Sequence, residues 1–218
     1  MTTPIGRGGA YVTVRQAAID LLRTHGLTTW FGNPGSSELT LLEDFPSDFR
    51  YVLGLQEMVP VGMADAYAQI TGRPAIVNLH TAPGMGNAQG ALYNAYINKT
   101  PLIVTAGNQR RDLQNQMCLL TNVDATNVPK PFVKWSAEPA IASEVPAVLA
   151  RAIHIANTAP RGPVFVSLPM DEWRLNSRTR KLRTSTWSAP GLSRTPAASP
   201  TRSRPTSPRA STTLNLPR

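Results

Sequence analysis

The chain has 218 residues, 41% of them hydrophobic, a length and composition that suit one domain with a buried core. Its formal charge of +9 is unevenly spread, because residues 1–172 carry twelve Lys and Arg against thirteen Asp and Glu, whereas residues 173–218 carry ten Lys and Arg and no acid. Cys118 is the only cysteine, which excludes an intramolecular disulfide framework and a cluster of thiolate metal ligands. We expect a reduced, cytoplasmic setting.

Hydropathy predicts neither a membrane-spanning helix nor a signal peptide in this sequence. No segment approaches the roughly 20 apolar residues that a spanning helix needs. The N-terminal run MTTPIGRGGAYVTV has no apolar stretch long enough for a signal peptide. We therefore expect a soluble protein that makes no membrane contact.

The first predicted element is a helix in TVRQAAIDLLRTHG, where Thr13 and Gln16 have capping-box spacing and Gly26 follows as a stop signal. LTTWF is then predicted as a strand, and SSELTLLEDF as a helix beginning at Ser36 or Ser37. The later elements follow in the order strand YVLGL, helix EMVPVGMADAYAQIT, strand AIVNLH, a helix from about residue 84 to 98, strand PLIVTAG, strand FVKWS, helix SEVPAVLARAIHIANTA and strand PVFVSLP.

Strands that alternate with helices and are apolar along their whole length predict a parallel sheet covered on both faces. We expect a single doubly wound α/β domain over residues 1–172, with a mainly parallel sheet of about six strands. Ligands of such sheets usually bind beyond the carboxyl ends of the strands. Three polar segments follow the first three strands at that edge: GNPGSSE, QE and HTAPGMGNAQG.

Common catalytic and phosphate-binding motifs do not match the sequence. GNPGSSE lacks the lysine of a P-loop, and GMGNAQG departs from the glycine spacing of a dinucleotide fingerprint. No G-x-S-x-G nucleophile elbow occurs, and the three histidines lack metal-ligand spacing. Because these motifs are missing, the sequence gives little support for three protein classes: nucleotide-binding proteins, serine hydrolases and histidine-based metalloenzymes.

Three polar side chains at the predicted sheet edge remain as site candidates: Ser36, Glu57 and His80. Each has a structural alternative. Ser36 could be a helix N-cap, Glu57 could lie favourably at the positive end of a helix, and His80 could be a satisfied packing residue at a strand end. Taken one residue at a time, the sequence leaves these alternatives open.

Several ordered stretches between about residue 12 and residue 172 carry a family resemblance: TWFGNPGSSEL, DFPSDFRYVLGLQE, GMADAYAQ, NLHTAPGMGNAQGALYNA, PLIVTAGNQ, LLTNVDATNVPKPFVKWS and RGPVFVSLPMDEW. In these stretches the chain resembles the N-terminal, pyrimidine-binding domain of thiamine-diphosphate-dependent enzymes, in particular the benzoylformate decarboxylase group. The lone His80, followed by Thr81, favours this group over pyruvate-type decarboxylases, which have an adjacent pair of histidines, and over acetolactate-synthase-like carboligases, which usually lack a histidine here.

The resemblance implies thiamine diphosphate as cofactor and an aromatic 2-oxo acid as substrate, which is converted to an aldehyde and carbon dioxide. Glu57 would hold N1′ of the aminopyrimidine and activate the cofactor, Ser36 would contact the substrate carboxylate, and His80 would relay protons. Histidine suits that task because its ordinary pKa lies near neutrality. The remaining residues implied are Asn33, Pro34 and Gly35 beside the pyrimidine, and Leu119 and Leu120 at the substrate pocket.

The chain departs from this family after residue 172 and contains no Gly-Asp-Gly segment, on which the family relies to bind the diphosphate through Mg2+. The resemblance therefore implies a truncated enzyme that carries half of a site, has no metal ligands of its own and is inactive alone. Subunits or another chain would supply the diphosphate-binding domain, in an assembly that is homo-oligomeric in the full-length family. Alternatives are a fragment of an acetolactate-synthase-like carboligase and a split enzyme.

Residues 173–218 are rich in Ser, Thr, Pro and Arg and predict a disordered basic tail. The tail could be a plain solvated segment or the product of out-of-frame translation of GC-rich DNA. In a third interpretation, the chain is a non-enzymatic binding protein that uses the tail on nucleic acid, although we expect this partner less than a 2-oxo acid.

Overall fold

The computed structural model describes residues 12–171, 173–175 and 177. Within them, six strands form one sheet in the order β2-β1-β3-β4-β6-β5, and every neighbouring pair is parallel. The predicted α/β fold with a parallel sheet of about six strands is therefore confirmed. The predicted disorder of the tail falls outside the described residues, apart from the few at its start.

The strands are β1 Thr29–Gly32, β2 Arg50–Leu53, β3 Ala75–Leu79, β4 Leu102–Asn108, β5 Ser136–Ala137 and β6 Val164–Pro169. The helices are α1 Val14–Thr24, α2 Leu39–Leu42, α3 Met58–Thr71, α4 Thr81–Asn87, α5 Gln89–Ile97, α6 Arg111–Gln114 and α7 Val145–Asn157. Short 3-10 turns at Ser36–Glu38 and Ala142–Glu144 precede α2 and α7.

Three predicted elements differ from the structure. The helix expected in SSELTLLEDF is reduced to the turn Ser36–Glu38 and the four residues of α2, because the backbone turns away at Asp44, where φ is +46°. The helix expected over residues 84–98 begins earlier and divides at Ala88 into α4 and α5. Of FVKWS only Ser136 enters a strand, the two-residue β5, although the Lys134 N–H and the Trp135 carbonyl still form backbone hydrogen bonds with Pro163 and Phe165.

Two apolar layers cover the sheet. Trp30 and Ile76 face the layer that includes α1 and α7, whereas Phe31 and Val77, the next residues along the same strands, face the layer formed by α3, α4 and α5. This alternation follows from the two-residue period of a strand. Both faces are thereby buried, which explains why the strands are apolar along their whole length.

The core also includes residues beyond Asp171. Trp173 is 2% exposed and belongs to the α1/α7 layer. Its carbonyl accepts the Arg15 N–H at 3.2 Å, and the carbonyl of Leu175 accepts the Val14 N–H at 2.9 Å. These contacts supply acceptors for the first N–H groups of α1, which have no partner inside the helix. Packing of the domain thus extends past residue 172, the end of the domain expected from the sequence.

The strand order creates a crevice at one edge of the sheet. From β1 the chain moves outward to β2 and then returns to β3, on the other side of β1; from β3 it continues in the opposite direction to β4. The carboxyl ends of β1 and β3 are therefore neighbours at a topological switch point, the usual ligand position in an open parallel sheet. None of the helices among the described residues is both long and apolar enough to span a membrane.

Candidate functional site

His80 lies at this crevice, immediately after β3, and contacts the segment that follows β1. Its Nδ1 atom is 2.9 Å from Glu38 Oε2 and 3.1 Å from Ser37 Oγ. The His80 side chain is 24% exposed, whereas that of Glu38 is 2% exposed. The imidazole therefore stands between a buried carboxylate and the open edge of the sheet.

Glu38 is a buried carboxylate whose two oxygens both accept hydrogen bonds from the surrounding chain. Oε2 accepts the Gly35 N–H at 2.8 Å, and Oε1 accepts the Gly107 N–H at 2.7 Å and the Ser37 hydroxyl at 2.8 Å. A buried charge is tolerated only when such partners compensate for lost hydration. Because Gly107 belongs to β4, these contacts fix the turn after β1 to the sheet.

Two glycines permit the close approach of these groups. A Cβ atom at Gly35 would lie 2.3 Å from His80 Nδ1 and 2.4 Å from two further ring atoms. One at Gly107 would lie 2.2 Å from Glu38 Oε1 and 2.4 Å from Ser37 Oγ. Real side chains do not tolerate such distances, so the geometry of the cluster requires both positions to lack a side chain.

We expect Gly35→Ala to destabilise the domain by about 1–3 kcal/mol, as overpacking of a well-filled site usually does. The added methyl group must displace the His80 ring or the turn that carries it. Urea unfolding of the chain measures the effect. Gly62→Ala in α3 is the matched control, since nothing lies within 4 Å of the added Cβ, and a helical Ala is about 0.5–1 kcal/mol better than Gly. Equal stability of the two variants would contradict the packing argument.

Tyr51 belongs to a second polar network, which joins β2, β3 and β4. Its hydroxyl donates to Asn78 Oδ1 at 3.2 Å, and Asn78 Nδ2 donates to Thr105 Oγ1 at 3.1 Å. Burial raises the pKa of the Tyr51 hydroxyl well above its usual range, and the negative charge of Glu38 adds to this effect. Tyr51 is therefore a neutral hydrogen-bond donor that ties β2 to β3.

Glu57 lies between β2 and α3, directly before the first residue of the helix. Its side chain makes no capping hydrogen bond to α3; instead Oε2 accepts from Asn87 Nδ2 of α4 at 3.0 Å. A Cβ atom at Gly84 would lie 3.4 Å from Glu57 Oε1. Glu57 is thus half-buried against α4, the helix that begins immediately after His80.

The segment predicted to contact the cofactor, residues 33–35, has few backbone N–H groups that are free to bind a ligand. The Asn33 N–H donates to Asn78 O at 3.1 Å, Pro34 has none, and the Gly35 N–H is bonded to Glu38. A ligand beside this backbone would therefore meet carbonyl groups and carbon atoms, and not free N–H groups. Ser36 is exposed at the start of the turn, while Ser37 is buried and bonded to Glu38 and His80.

The two predicted pocket leucines lie in the loop after α6. Leu119 is 86% exposed, and its carbonyl accepts from Gln109 Nε2 at 2.9 Å. Leu120 is half-buried and has a positive φ of +73°.

Thr81, next to His80, carries two unfavourable features. Its φ is +46°, which is rare for a β-branched residue, and its buried hydroxyl finds no hydrogen-bond partner among the described residues. Strained backbone of this kind concentrates at functional sites, where the surrounding structure holds it in place.

Sequence reasoning did not identify Glu38, Ser37 or Gly107 as members of the site. A usable signal was present for Glu38 alone, which lies three residues after the turn glycine, at the spacing of a capping box. The structure shows that its carboxylate does accept the Gly35 N–H. The contact with His80 spans 42 positions of sequence and leaves no local pattern.

The site combines a half-exposed carboxylate, Glu57, with an imidazole whose outer side faces the crevice. Such a pair can accept a hydrogen bond from a protonated heterocycle and exchange protons with a bound ligand. In the part of the chain that the structure describes, no three His, Cys, Asp or Glu side chains form a group that could hold a metal ion.

Comparison with known proteins defines the class of protein. The family described as "Thiamine pyrophosphate enzyme, N-terminal TPP binding domain" matches residues 12–128, which include Ser36, Glu57 and His80. The chain therefore belongs to the thiamine pyrophosphate enzyme family and carries its N-terminal domain.

Individual relatives show which members of this family the chain resembles. The benzoylformate decarboxylase of Pseudomonas aeruginosa is 56% identical over 161 residues, which are 74% of this chain and 30% of that protein. Two solved structures match with a TM-score of 0.74 and cover 75% of this chain and 31% of theirs. They are benzoylformate decarboxylase from Polynucleobacter necessarius, 54% identical, and a thiamine diphosphate-dependent 4-hydroxybenzoylformate decarboxylase from Rhodococcus jostii RHA1, 51% identical. The chain thus spans about a third of the length of these relatives.

Proposed function

We propose that this chain is the pyrimidine-binding part of a thiamine-diphosphate-dependent decarboxylase that acts on an aromatic 2-oxo acid. The proposal is supported by Glu57 and His80, which both lie beside α4, since His80 precedes this helix and Glu57 is bonded to its Asn87, in a chain 56% identical to a benzoylformate decarboxylase. The names of the three relatives above all support benzoylformate or a hydroxylated form of it as the substrate.

The residues present suit the pyrimidine end of thiamine diphosphate. Glu57 offers a carboxylate oxygen at the sheet edge, and the glycine at position 84 leaves room beside it. Glu57 would accept a hydrogen bond from the ring and orient it, while the backbone of Asn33, Pro34 and Gly35 would flank it. When bound, the cofactor supplies the electron sink that decarboxylation of a 2-oxo acid needs.

Ser36 and His80 would act on the substrate. The exposed Ser36 hydroxyl would donate to the substrate carboxylate and orient it, and Leu119 and Leu120 would contact its apolar part. His80 would hold and return protons at the reacting carbon, a role for which imidazole is suited near neutral pH. Asn87 would keep the Glu57 carboxylate in place through its hydrogen bond of 3.0 Å.

The remainder of the site would come from another part of the enzyme. We propose that the diphosphate and a Mg2+ ion are held by a diphosphate-binding domain of a partner subunit or second chain. Exposed apolar side chains on α3 and α5, including Met58, Val59, Tyr93 and Ile97, support a covering partner on that face. A cytoplasmic location stays a prediction.

A chimera tests the proposed function. Residues 12–171 of this chain replace the matching residues of the P. aeruginosa benzoylformate decarboxylase, and release of benzaldehyde and carbon dioxide from benzoylformate is measured. We expect turnover that depends on added thiamine diphosphate. A chimera that has native-like circular dichroism but no turnover would contradict the proposal. Acetolactate formed from pyruvate, without benzaldehyde from benzoylformate, would favour the carboligase alternative.

A further inference from the structure

We propose that Glu38 is a positioning residue that holds neutral His80 with its proton on Nδ1, so that Nε2 is the nitrogen available to the ligand. The inference rests on the proposed function, since it assigns a state to the histidine that would exchange protons there. It concerns a residue to which the family resemblance gave no role.

The hydrogen bonds around Nδ1 favour this tautomer. Ser37 has a single hydroxyl proton, which it donates to Glu38 Oε1 at 2.8 Å. The serine oxygen, 3.1 Å from Nδ1, can therefore only accept from the ring. An ionised Glu38 has no proton to donate either, so both groups within hydrogen-bond distance of Nδ1 are acceptors and Nδ1 must be the donor.

The surroundings of Glu38 suit an ionised carboxylate. Two backbone N–H groups and one hydroxyl donate to its oxygens, at 2.7–2.8 Å. A protonated carboxyl group would add a fourth donor to these three, with no acceptor for it among the same groups. The same contacts immobilise the side chain, because they come from the turn itself and from β4, and the carboxylate is 2% exposed.

The remaining space around the ring points to Nε2 as the working nitrogen. Gly35 lies against Nδ1, Cε1 and Cγ, and Glu38 and Ser37 occupy the hydrogen-bonding positions of Nδ1. Nε2 is thus the ring nitrogen that has no hydrogen-bond partner among the described residues. In known active sites, a carboxylate that accepts a hydrogen bond from one ring nitrogen of a histidine fixes the tautomer and presents the other nitrogen to the reacting group.

The tautomer is measurable in the 218-residue chain without cofactor or substrate. We would label the chain with 15N and record long-range 1H–15N spectra of the ring nitrogens between about pH 6 and pH 9, a range that brackets ordinary histidine titration. In the wild type, Nδ1 of His80 is expected to remain protonated throughout. In Glu38→Gln we expect the ratio of Nδ1–H to Nε2–H tautomers to fall about tenfold, since a neutral amide oxygen accepts less strongly than a carboxylate.

Two controls separate positioning from general disturbance of the fold. Ser37→Ala removes the other neighbour of Nδ1 and should leave the Nδ1–H tautomer in the majority. Glu144→Gln changes an exposed glutamate elsewhere and should leave the His80 spectrum unaltered. A neutral wild-type ring protonated on Nε2 would overturn the inference, even if Glu38→Gln fails to fold. So would an unchanged tautomer ratio in a folded Glu38→Gln variant. Because the spectra require no turnover, their outcome is independent of the decarboxylation assay.

Discussion

We expect Glu57→Gln to lower kcat of the chimera by about 10²- to 10⁴-fold, the range by which a positioned acid or base contributes to catalysis. The amide keeps the size of the side chain and can keep a hydrogen bond with Asn87. It loses the negative charge that would stabilise a proton on the cofactor ring. The measurement is steady-state decarboxylation of benzoylformate at saturating thiamine diphosphate.

The matched control for Glu57→Gln is Glu144→Gln in the same chimera. Glu144 is exposed at the start of α7, where its carboxylate accepts the Ala140 N–H at 3.0 Å. We expect its replacement to leave kcat within about twofold, because surface substitutions usually have small effects. Full turnover of the Glu57→Gln chimera would mean that Glu57 does not activate the cofactor.

The largest stability effect is expected from Trp173→Ala, which should lower the free energy of unfolding by about 3–5 kcal/mol. Trp173 is 2% exposed and lines the same part of the core as Trp30, Leu41 and Leu149. Removal of the indole would leave a cavity that the surrounding helices can only partly fill. Urea unfolding monitored by far-UV circular dichroism measures the loss.

Arg174→Ala provides a neighbouring control for Trp173→Ala. Arg174 pairs with Glu43 at 2.9 Å, but both side chains are largely exposed, so the pair should contribute less than about 1 kcal/mol. A Trp173→Ala loss no larger than that of Arg174→Ala would show that residues beyond Asp171 are not part of the stabilising core.

Patterns along the chain predicted most of the fold because they report local requirements. The apolar runs of β3, β4 and β6 predict buried parallel strands, and the capping-box spacing and stop glycine of TVRQAAIDLLRTHG predict α1. Element lengths were less predictable where backbone conformation intervenes. For example, α2 ends at Leu42, just before the positive φ of Asp44.

The candidate site was predictable to the extent that its residues follow strands. Ser36, Glu57 and His80 were placed at one edge because the carboxyl ends of parallel strands lie together, and the family resemblance gave each a proposed role. That reasoning did not predict the contact between Ser37 and His80. The contact depends on the turn Ser36–Glu38, which brings the Ser37 hydroxyl to 3.1 Å from His80 Nδ1.

By itself, the sequence determined the class of fold, the family and the edge of the sheet at which a ligand should bind. Only the tertiary structure decided that Glu38 is buried behind His80, that Gly35 and Gly107 must be glycines, and that Trp173 belongs to the core. The physical reason is distance along the chain. His80 meets Glu38 across 42 positions and Glu38 meets Gly107 across 69, so these contacts are settled by the folding of the sheet and leave no repeat or spacing for a sequence pattern to report.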